Sequence, residues 1–209
     1  MSSRSSKTRW LARQEKDEYV KRSKIDGYRS RAAYKLEEIN KRDRVHIQGK
    51  MIIDLGAAPG GWSQLAAKWC QHKTDIIALD ILPMDSLADI EIIQGDFTEE
   101  VVLKQLVGSI AGREVGLVLC DMAPNISGVG SVDQPKSMYL AELALELARQ
   151  VLCKNGNFVT KLFQGEGFDE YMRLARVSFT SVKTRKPRAS RPESREVYLV
   201  AKGFRGLPP

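Results

Sequence analysis

Histidine and cysteine are scarce in this 209-residue chain, which has two of the first and three of the second. His46 and His72 lie far apart, so a histidine-built metal site or a nucleophile–histidine–acid triad lacks its parts. Cys70, Cys120 and Cys153 are odd in number, widely spaced and set among apolar residues, with neither a disulfide framework nor zinc-ligand spacing. They read as reduced core residues of a cytoplasmic protein. Long apolar runs are missing as well. Val115–Cys120 is short and Tyr139–Ala148 is interrupted by Glu142 and Glu146, so no membrane span is expected. Met1-Ser2-Ser3-Arg4 has no apolar core of the kind a secretory leader needs. No internal repeat appears. What is present, 43% hydrophobic residues at this length, suits one domain with one good core.

The stretch Met51-Ile52-Ile53-Asp54-Leu55-Gly56-Ala57-Ala58-Pro59-Gly60-Gly61-Trp62 is an apolar run that ends in an acid, breaks into glycines and enters a helix. A glycine turn at the carboxyl end of a parallel strand lets a ligand approach the backbone with no Cβ in the way. Ala58 stands where a dinucleotide fingerprint needs its second glycine, and Trp62 stands where a triphosphate-binding loop needs lysine. With no cation left for phosphate, the turn suits an uncharged nucleoside bearing an amino acid, such as S-adenosylmethionine. Asp54 and Gly56 are its first contacts. Taken alone, the stretch fits an ordinary strand-to-helix turn equally well.

The net charge of +7 is unevenly distributed. Residues 1–50 carry 15 basic and 7 acidic side chains, residues 51–180 carry 10 and 17, and residues 181–209 carry 8 and 2. Two basic ends flanking an acidic body are expected where the ends converge on a phosphate backbone and the middle holds a small cofactor. Solvated tails are the plainer alternative, but Trp10, Tyr19, Tyr28 and Tyr34 interleave with the basic residues.

Taken in order, Met1–Arg9 is expected to be disordered, and residues 1–28 to form a basic extension to a single domain of residues 29–209. Helices are expected over Trp10–Lys24, ended by Gly27, and over Arg29–Asn40, where Ala33, Leu36 and Ile39 make an apolar stripe and Arg31 and Lys35 share another face. From Met51 strand and helix alternate. Strands are expected at Met51–Leu55, Asp75–Asp80, Glu91–Ile93, Gly116–Cys120, Asn157–Thr160, Ser181–Arg185 and Glu196–Lys202. Helices are expected at Trp62–Trp69, Glu99–Val107, Lys136–Leu152 and Phe168–Ser178. The pattern predicts an α/β doubly wound, Rossmann-like sheet, mostly parallel, with an antiparallel strand near the C-terminus. Asp54, Asp80, Asp96, Asp121 and Lys161 are each the first charge after an apolar run, which sets five charges around one rim, where open α/β sheets bind ligands. Asp80 is suited to both hydroxyls of a ribose and Asp96 to an adenine amino group.

Asp54–Trp62, Asp121-Met122-Ala123-Pro124-Asn125, Phe163-Gln164-Gly165-Glu166-Gly167 and Ser194-Arg195-Glu196-Val197-Tyr198 resemble the bacterial FtsJ-type ribosomal RNA large-subunit 2′-O-ribose methyltransferases. The resemblance runs from about Trp10 to Lys202. It implies S-adenosylmethionine as cofactor and a uridine in the A-loop of 23S (large-subunit) rRNA as target, methylated on the assembled large ribosomal subunit. It also implies a catalytic tetrad of Lys35, Asp121, Lys161 and Glu196, and cofactor contacts at Gly60, Trp62, Asp80, Asp96 and Asp121. No metal is expected, and the chain is expected to act as a cytoplasmic monomer.

The residues support an oxygen target on their own terms. Cys120 lies inside a strand, out of place for the cysteine nucleophile of ring-carbon methylation, and Asp121-Met122-Ala123-Pro124 lacks the aromatic face that base-amino methylation favours. A hydroxyl needs alignment with the methyl–sulfonium bond and help with its proton. Lys161 is the candidate, as general base or as the group that steers an oxygen lone pair. Burial and the charge of Lys35 favour its neutral form, Asp121 and Glu196 its charged one, so both roles stand open here. Arg29, Arg31, Lys183, Arg185, Lys186, Arg188, Arg191 and Arg195 are expected to grip RNA phosphates. The other class of function that fits is a non-catalytic ribosome-assembly factor that binds RNA through the same basic ends.

Overall fold

The computed structural model describes residues 17–70, 76–124 and 127–206. Their elements are α1 (Glu18–Ile25), α2 (Ala32–Asp43), β1 (Met51–Leu55), α3 (Gly61–Ala67), β2 (Ile76–Asp80), β3 (Glu91–Gln94), α4 (Glu100–Ile110), β4 (Val115–Cys120), α5 (Gly130–Val151), β5 (Leu152–Phe163), α6 (Phe168–Ser178), β6 (Phe179–Arg185) and β7 (Glu196–Phe204). The seven strands form one sheet in the order β3-β2-β1-β4-β5-β7-β6. The β1, β2, β3, β4 and β5 pairings are parallel; β7 is antiparallel to both β5 and β6. This is the expected doubly wound sheet with its antiparallel strand near the C-terminus.

Both faces of the central strands are covered, which is why they read as continuous apolar runs. Ile53, Leu79, Val118 and Phe158 face one core with residues of α4, α5 and α6. Ile52, Leu117, Leu119, Val159, Tyr198 and Val200 face the other, with Leu36 and Ile39 of α2 and Trp62 and Leu65 of α3. Because side chains alternate along a strand, Lys161 and Glu196 share this second face with Val159 and Tyr198. The Trp62 indole N–H donates to the Ala32 carbonyl at 2.7 Å and so joins α3 to the start of α2.

Element boundaries shift where tertiary pairing decides them. β5 runs from Leu152 to Phe163 instead of Asn157–Thr160, because β4 pairs along one edge and β7 along the other as far as Phe163 opposite Glu196. Lys161 therefore lies inside the strand. α5 begins at Gly130, six residues before the expected start, and contains Pro135. The bond that proline forfeits would fall on exposed Ser131, one turn back. Met1–Arg9 and Trp10–Lys16 of the first expected helix lie outside the described residues. Residues 17–28 pack on the body rather than extend from it: Asp26 accepts the Tyr34 hydroxyl, Gln64 donates to the Gly27 carbonyl, and Tyr28 lies edge-on to Tyr34.

Buried Asn157 ties the two elements that carry the site's outer residues. Its side chain donates to the Val45 carbonyl just beyond α2 at 2.8 Å and accepts the Gly203 N–H of β7 at 3.1 Å. Replacing it with alanine strands both backbone groups. Asn157→Ala should lower unfolding free energy by about 1–3 kcal/mol, measured by urea denaturation; an unchanged midpoint would show that water satisfies them.

Candidate active site

The strand order reverses between β1 and β4, and the crevice outside their carboxyl ends is where a doubly wound sheet opens. A cavity of about 490 Å³ lies there. Its wall takes Gly56 after β1, Leu79–Leu82 around the end of β2, Gly95–Thr98 after β3 and Asp121–Pro124 after β4. Gly56 has φ +73° and stands so close to the β4 rim that a Cβ would come within 2.7 Å of the Met122 backbone nitrogen. The lining includes the carboxylates of Asp80, Asp96 and Asp121 and, among the described residues, no lysine, arginine or histidine. Such a cavity repels phosphate and suits a phosphate-free ligand that carries positive charge. Asp80 is held by the Ala58 and Leu82 N–H groups at 2.9 and 2.8 Å, and Asp96 by the Thr98 N–H and hydroxyl at 2.9 and 2.7 Å.

A second cavity, about 420 Å³, is lined by Arg31, Lys35, Ala123, Lys161, Phe163, Arg191, Glu193, Ser194 and Glu196. Ala123 belongs to both walls. At that junction Lys161 Nζ lies 3.1 Å from Asp121 Oδ1 and also donates to the Asp121 carbonyl. Lys35 Nζ lies 2.6 Å from Glu196 Oε1, which also accepts the Ser190 hydroxyl at 2.9 Å. Tyr198 stands between the two ion pairs. Its hydroxyl donates to Asp121 Oδ1 at 3.0 Å and accepts from Lys35 Nζ at 3.1 Å. Lys161 and Tyr198 are direct partners across β5 and β7, which is why they meet.

The charges explain one another. Burial opposes ionisation of Glu196, but Lys35, Lys161 and the hydrogen bonds from Lys35 and Ser190 outweigh it and hold its carboxyl below the usual carboxylate range. Burial, then the carboxylates of Asp121 and Glu196, pushes the Tyr198 hydroxyl well above an ordinary phenol, so it stays a donor. Cys120 is buried and pushed up to about 11, chiefly by burial, and behaves as core.

Residues 28–204 match the model of the FtsJ-like methyltransferase family. The chain belongs to that family. It is 55% identical over 205 residues to a Marinobacter nauticus protein, covering 98% of this chain and 99% of that one, and 52% identical over 206 residues to one from Cellvibrio japonicus, covering 99% and 98%. Both carry the name ribosomal RNA large subunit methyltransferase E. A crystal structure described as a ribosomal RNA methyltransferase from Plasmodium falciparum superposes with a TM-score of 0.76 at 28% identity, over 86% of this chain and all of that one.

Within this FtsJ-like fold the expected residues fall into distinct places. Lys35, Asp121, Lys161 and Glu196 come together; Gly56, Asp80, Asp96 and Asp121 line the first cavity. Gly60, at φ +107°, precedes α3 outside the cavity lining, where an added Cβ would come within 3.1–3.2 Å of the Leu87, Met84 and Arg29 side chains, and Trp62 is buried behind it against Tyr198. Asp54 is fully buried beneath the turn, where Oδ2 accepts the Ser63 hydroxyl at 2.6 Å and Oδ1 has no partner among the described residues. Three arginines of the expected RNA surface are engaged internally. The Arg29 guanidinium donates to the Asp85 and Ser86 carbonyls, Arg31 to Asp17 and the Ala189 carbonyl, and Arg185 to both oxygens of Asp43 at 2.7 and 2.6 Å. Lys186 donates to the Ser194 carbonyl; Lys183, Lys186, Arg188 and Arg195 are exposed, and Arg191 lines the second cavity. Tyr198 and Ser190 are the site residues that sequence reasoning did not single out. Tyr198 lay in the quoted Ser194–Tyr198 motif, two positions from Glu196 and so on its face. Among the described residues, no group of three or more histidine, cysteine or acidic side chains could hold a metal ion, and no helix is long and apolar enough to cross a membrane.

Asp54 sets a pH dependence. Burial, helped by the charges of Asp121 and Asp80, raises its carboxyl to about 7, above an unfolded value of about 3.9. Its folded state therefore holds the proton more tightly, and the stabilisation is complete below the unfolded value and lost as pH rises through about 7. Asp54→Asn cannot ionise and should gain stability relative to the parent between about pH 4 and pH 8. Paired urea titrations of cofactor-free protein check this; a difference constant with pH would show that the carboxyl ionises normally.

Proposed function

We propose that this protein transfers a methyl group from S-adenosylmethionine to the ribose 2′-hydroxyl of a uridine in large-subunit ribosomal RNA, in the A-loop of the assembled large ribosomal subunit. The observation that carries the reading is the meeting of the acidic cavity and the basic cavity at Ala123, with the Lys161–Asp121 pair beside it. The names of the relatives support large-subunit rRNA as the substrate. We take the protein to act in the cytoplasm as a monomer.

The residues fit the cofactor. Asp80 would hold the ribose hydroxyls and Asp96 the adenine amino group, with Ile81, Leu82 and Phe97 beside the base, while Gly56 and Asp121 sit at the cationic end. Gly60, Trp62 and Asp54 would act behind that wall by shaping the turn. S-adenosylmethionine, when bound, supplies an electrophilic methyl on a positively charged sulfur. Everything else is done by the chain. The second cavity would receive the target ribose, with Arg191 near the phosphates and exposed Lys183, Lys186, Arg188 and Arg195 around it. Arg29, Arg31 and Arg185 would shape that surface through the segments they hold.

Asp121 fixes Lys161 at two points, the carboxylate and the main-chain carbonyl. The nitrogen's remaining direction is the one left for the hydroxyl. In the ammonium that direction carries an N–H that aligns an oxygen lone pair and steadies the developing alkoxide; in the amine it carries the lone pair that takes the proton. The new bond joins the ribose oxygen to the methyl carbon as the carbon–sulfur bond breaks, and the hydroxyl proton leaves. Lys35 and Glu196 hold Tyr198, and Tyr198 holds Asp121.

Methyl transfer to purified large subunits lacking the modification, mapped by resistance of the ribose linkage to alkali, tests this. One alkali-resistant position is expected with the parent protein. Lys161→Ala should lower the rate by about 100-fold or more, with cofactor affinity little changed because Lys161 is not in the first cavity's wall. Turnover close to the parent's would remove Lys161 from the mechanism. No transfer by the parent, with tight subunit binding retained, would favour the assembly-factor reading. Tyr198→Phe keeps the ring and loses the hydroxyl link; a fall in kcat of about tenfold is expected, and an unchanged kcat would show that Asp121 needs no third support.

A further inference from the structure

The connection from β2 to β3, residues 81–90, runs as irregular backbone, although it joins parallel strands, where the crossover is usually a helix. Its first two residues, Ile81 and Leu82, line the first cavity, and none of its ten residues is buried. A strap of this kind has little apolar burial to fix it, so its position depends on the groups that hold its backbone.

Arg29 holds it at two points. Its Nη1 donates to the Asp85 carbonyl at 2.7 Å and, at 3.4 Å, to the Pro59 carbonyl of the turn after β1; its Nη2 donates to the Ser86 carbonyl at 2.8 Å. One planar fork thus joins two of the loops that wall the first cavity. The fork is also fixed at its root. The Arg29 N–H donates to Gln64 Oε1 at 2.7 Å, the Gln64 amide donates to the Gly27 carbonyl at 3.1 Å, and the Trp62 indole donates to the Ala32 carbonyl, so α3 seats residues 27–32. The glycines ahead of that helix make the seat. A Cβ on Gly60 would come within 3.2 Å of Arg29 Nη1, and one on Gly61 would overlap the Ser30 hydroxyl. Both belong to the turn that in sequence reads as room for a ligand, and both make room for the chain's own Arg29–Ser30 segment.

We propose that Arg29 is a positioning residue for the cofactor: by tying Asp85 and Ser86 to the turn after β1, it holds Ile81 and Leu82 in the wall of the first cavity and keeps that cavity in the form that binds S-adenosylmethionine. The inference rests on the cofactor reading above. Arg29 is not in the lining of either the first or the second cavity, so it acts through the strap. Without the fork the strap samples other positions, and the apparent dissociation constant rises in inverse proportion to the fraction of molecules that keep the binding form. The Lys161–Asp121 pair is held by β4 and β5 and not by the strap, so the chemical step keeps its rate once the cofactor is bound.

Calorimetric titration of the full-length parent, Arg29→Ala and Arg29→Lys with S-adenosylmethionine tests this. Lysine keeps a charge that can hold a phosphate but lacks the fork that spans two carbonyls. Both variants should raise the cofactor Kd by about tenfold, with KM for the cofactor rising in parallel and kcat at saturating cofactor within about twofold of the parent's. In both, the backbone amides of residues 81–90 should exchange hydrogen faster than in the parent when no cofactor is bound. An Arg29 that only grips RNA would raise KM for large subunits in Arg29→Ala, be largely rescued in Arg29→Lys, and leave the cofactor Kd alone. A merely structural role would lower the urea midpoint and leave the cofactor Kd of the folded protein unchanged. Either result overturns the inference; should Arg29→Ala not fold, Arg29→Lys, which keeps an apolar stem, decides. A parent that binds no S-adenosylmethionine would strike the cofactor reading itself, a different outcome from binding that is indifferent to Arg29.

Discussion

A partly buried alternation of charge runs from Lys35 through Glu196, Tyr198 and Asp121 to Lys161, and the architecture around the rim is arranged to hold it. Withdrawing two charges from water is repaid only when geometry is good and the remaining lone pairs are used. Here the carboxylates also accept from Ser190 and Tyr198, and Lys161 also donates to a main-chain carbonyl. The arrangement therefore requires four segments in register: α2, the end of β4, β5 and β7.

The antiparallel insertion of β7 between β5 and β6 makes that register possible. A sheet with only parallel strands would bring strand ends to the rim and nothing else. Because β7 runs the other way, its beginning lies at the rim, so Glu196 and Tyr198 arrive opposite Phe163 and Lys161. The same reversal sends residues 186–195 over the rim, where the Ala189 carbonyl and the Arg188 N–H are held by Arg31 and Glu38. α2 is fastened to β6 and β7 along its length, from Lys35 at Glu196 to Asp43 at Arg185 and Lys202.

Those fastenings divide the basic residues into two groups that sequence does not separate. Arg29, Arg31 and Arg185 are committed to carbonyls and carboxylates of the fold, with Arg185 paired to a nearly buried Asp43. Lys183, Arg188 and Arg195 remain at the surface. Arginine serves both purposes because a planar fork satisfies two carbonyls or a carboxylate as readily as a phosphate.

The sequence by itself determined the sheet, its crevice and most of the residues proposed for catalysis. Apolar runs with a charge at the end, glycines after β1 and the spacing of helices are local signals, and Asp80, Asp96, Asp121 and Lys161 were legible because each ends or follows such a run. Lys35 and Glu196 were named as part of the tetrad that the family resemblance implies. Local pattern gives no account of why a helix lysine before β1 meets an acid 161 positions later. Tertiary structure decided the length of β5, the start of α5, the linking role of Tyr198, the withdrawal of Asp54, Gly60 and Trp62 behind the cavity wall, and which arginines are free. Each of these depends on pairing between distant segments, and burial, register and the direction of a hydrogen bond exist only once those segments are packed together.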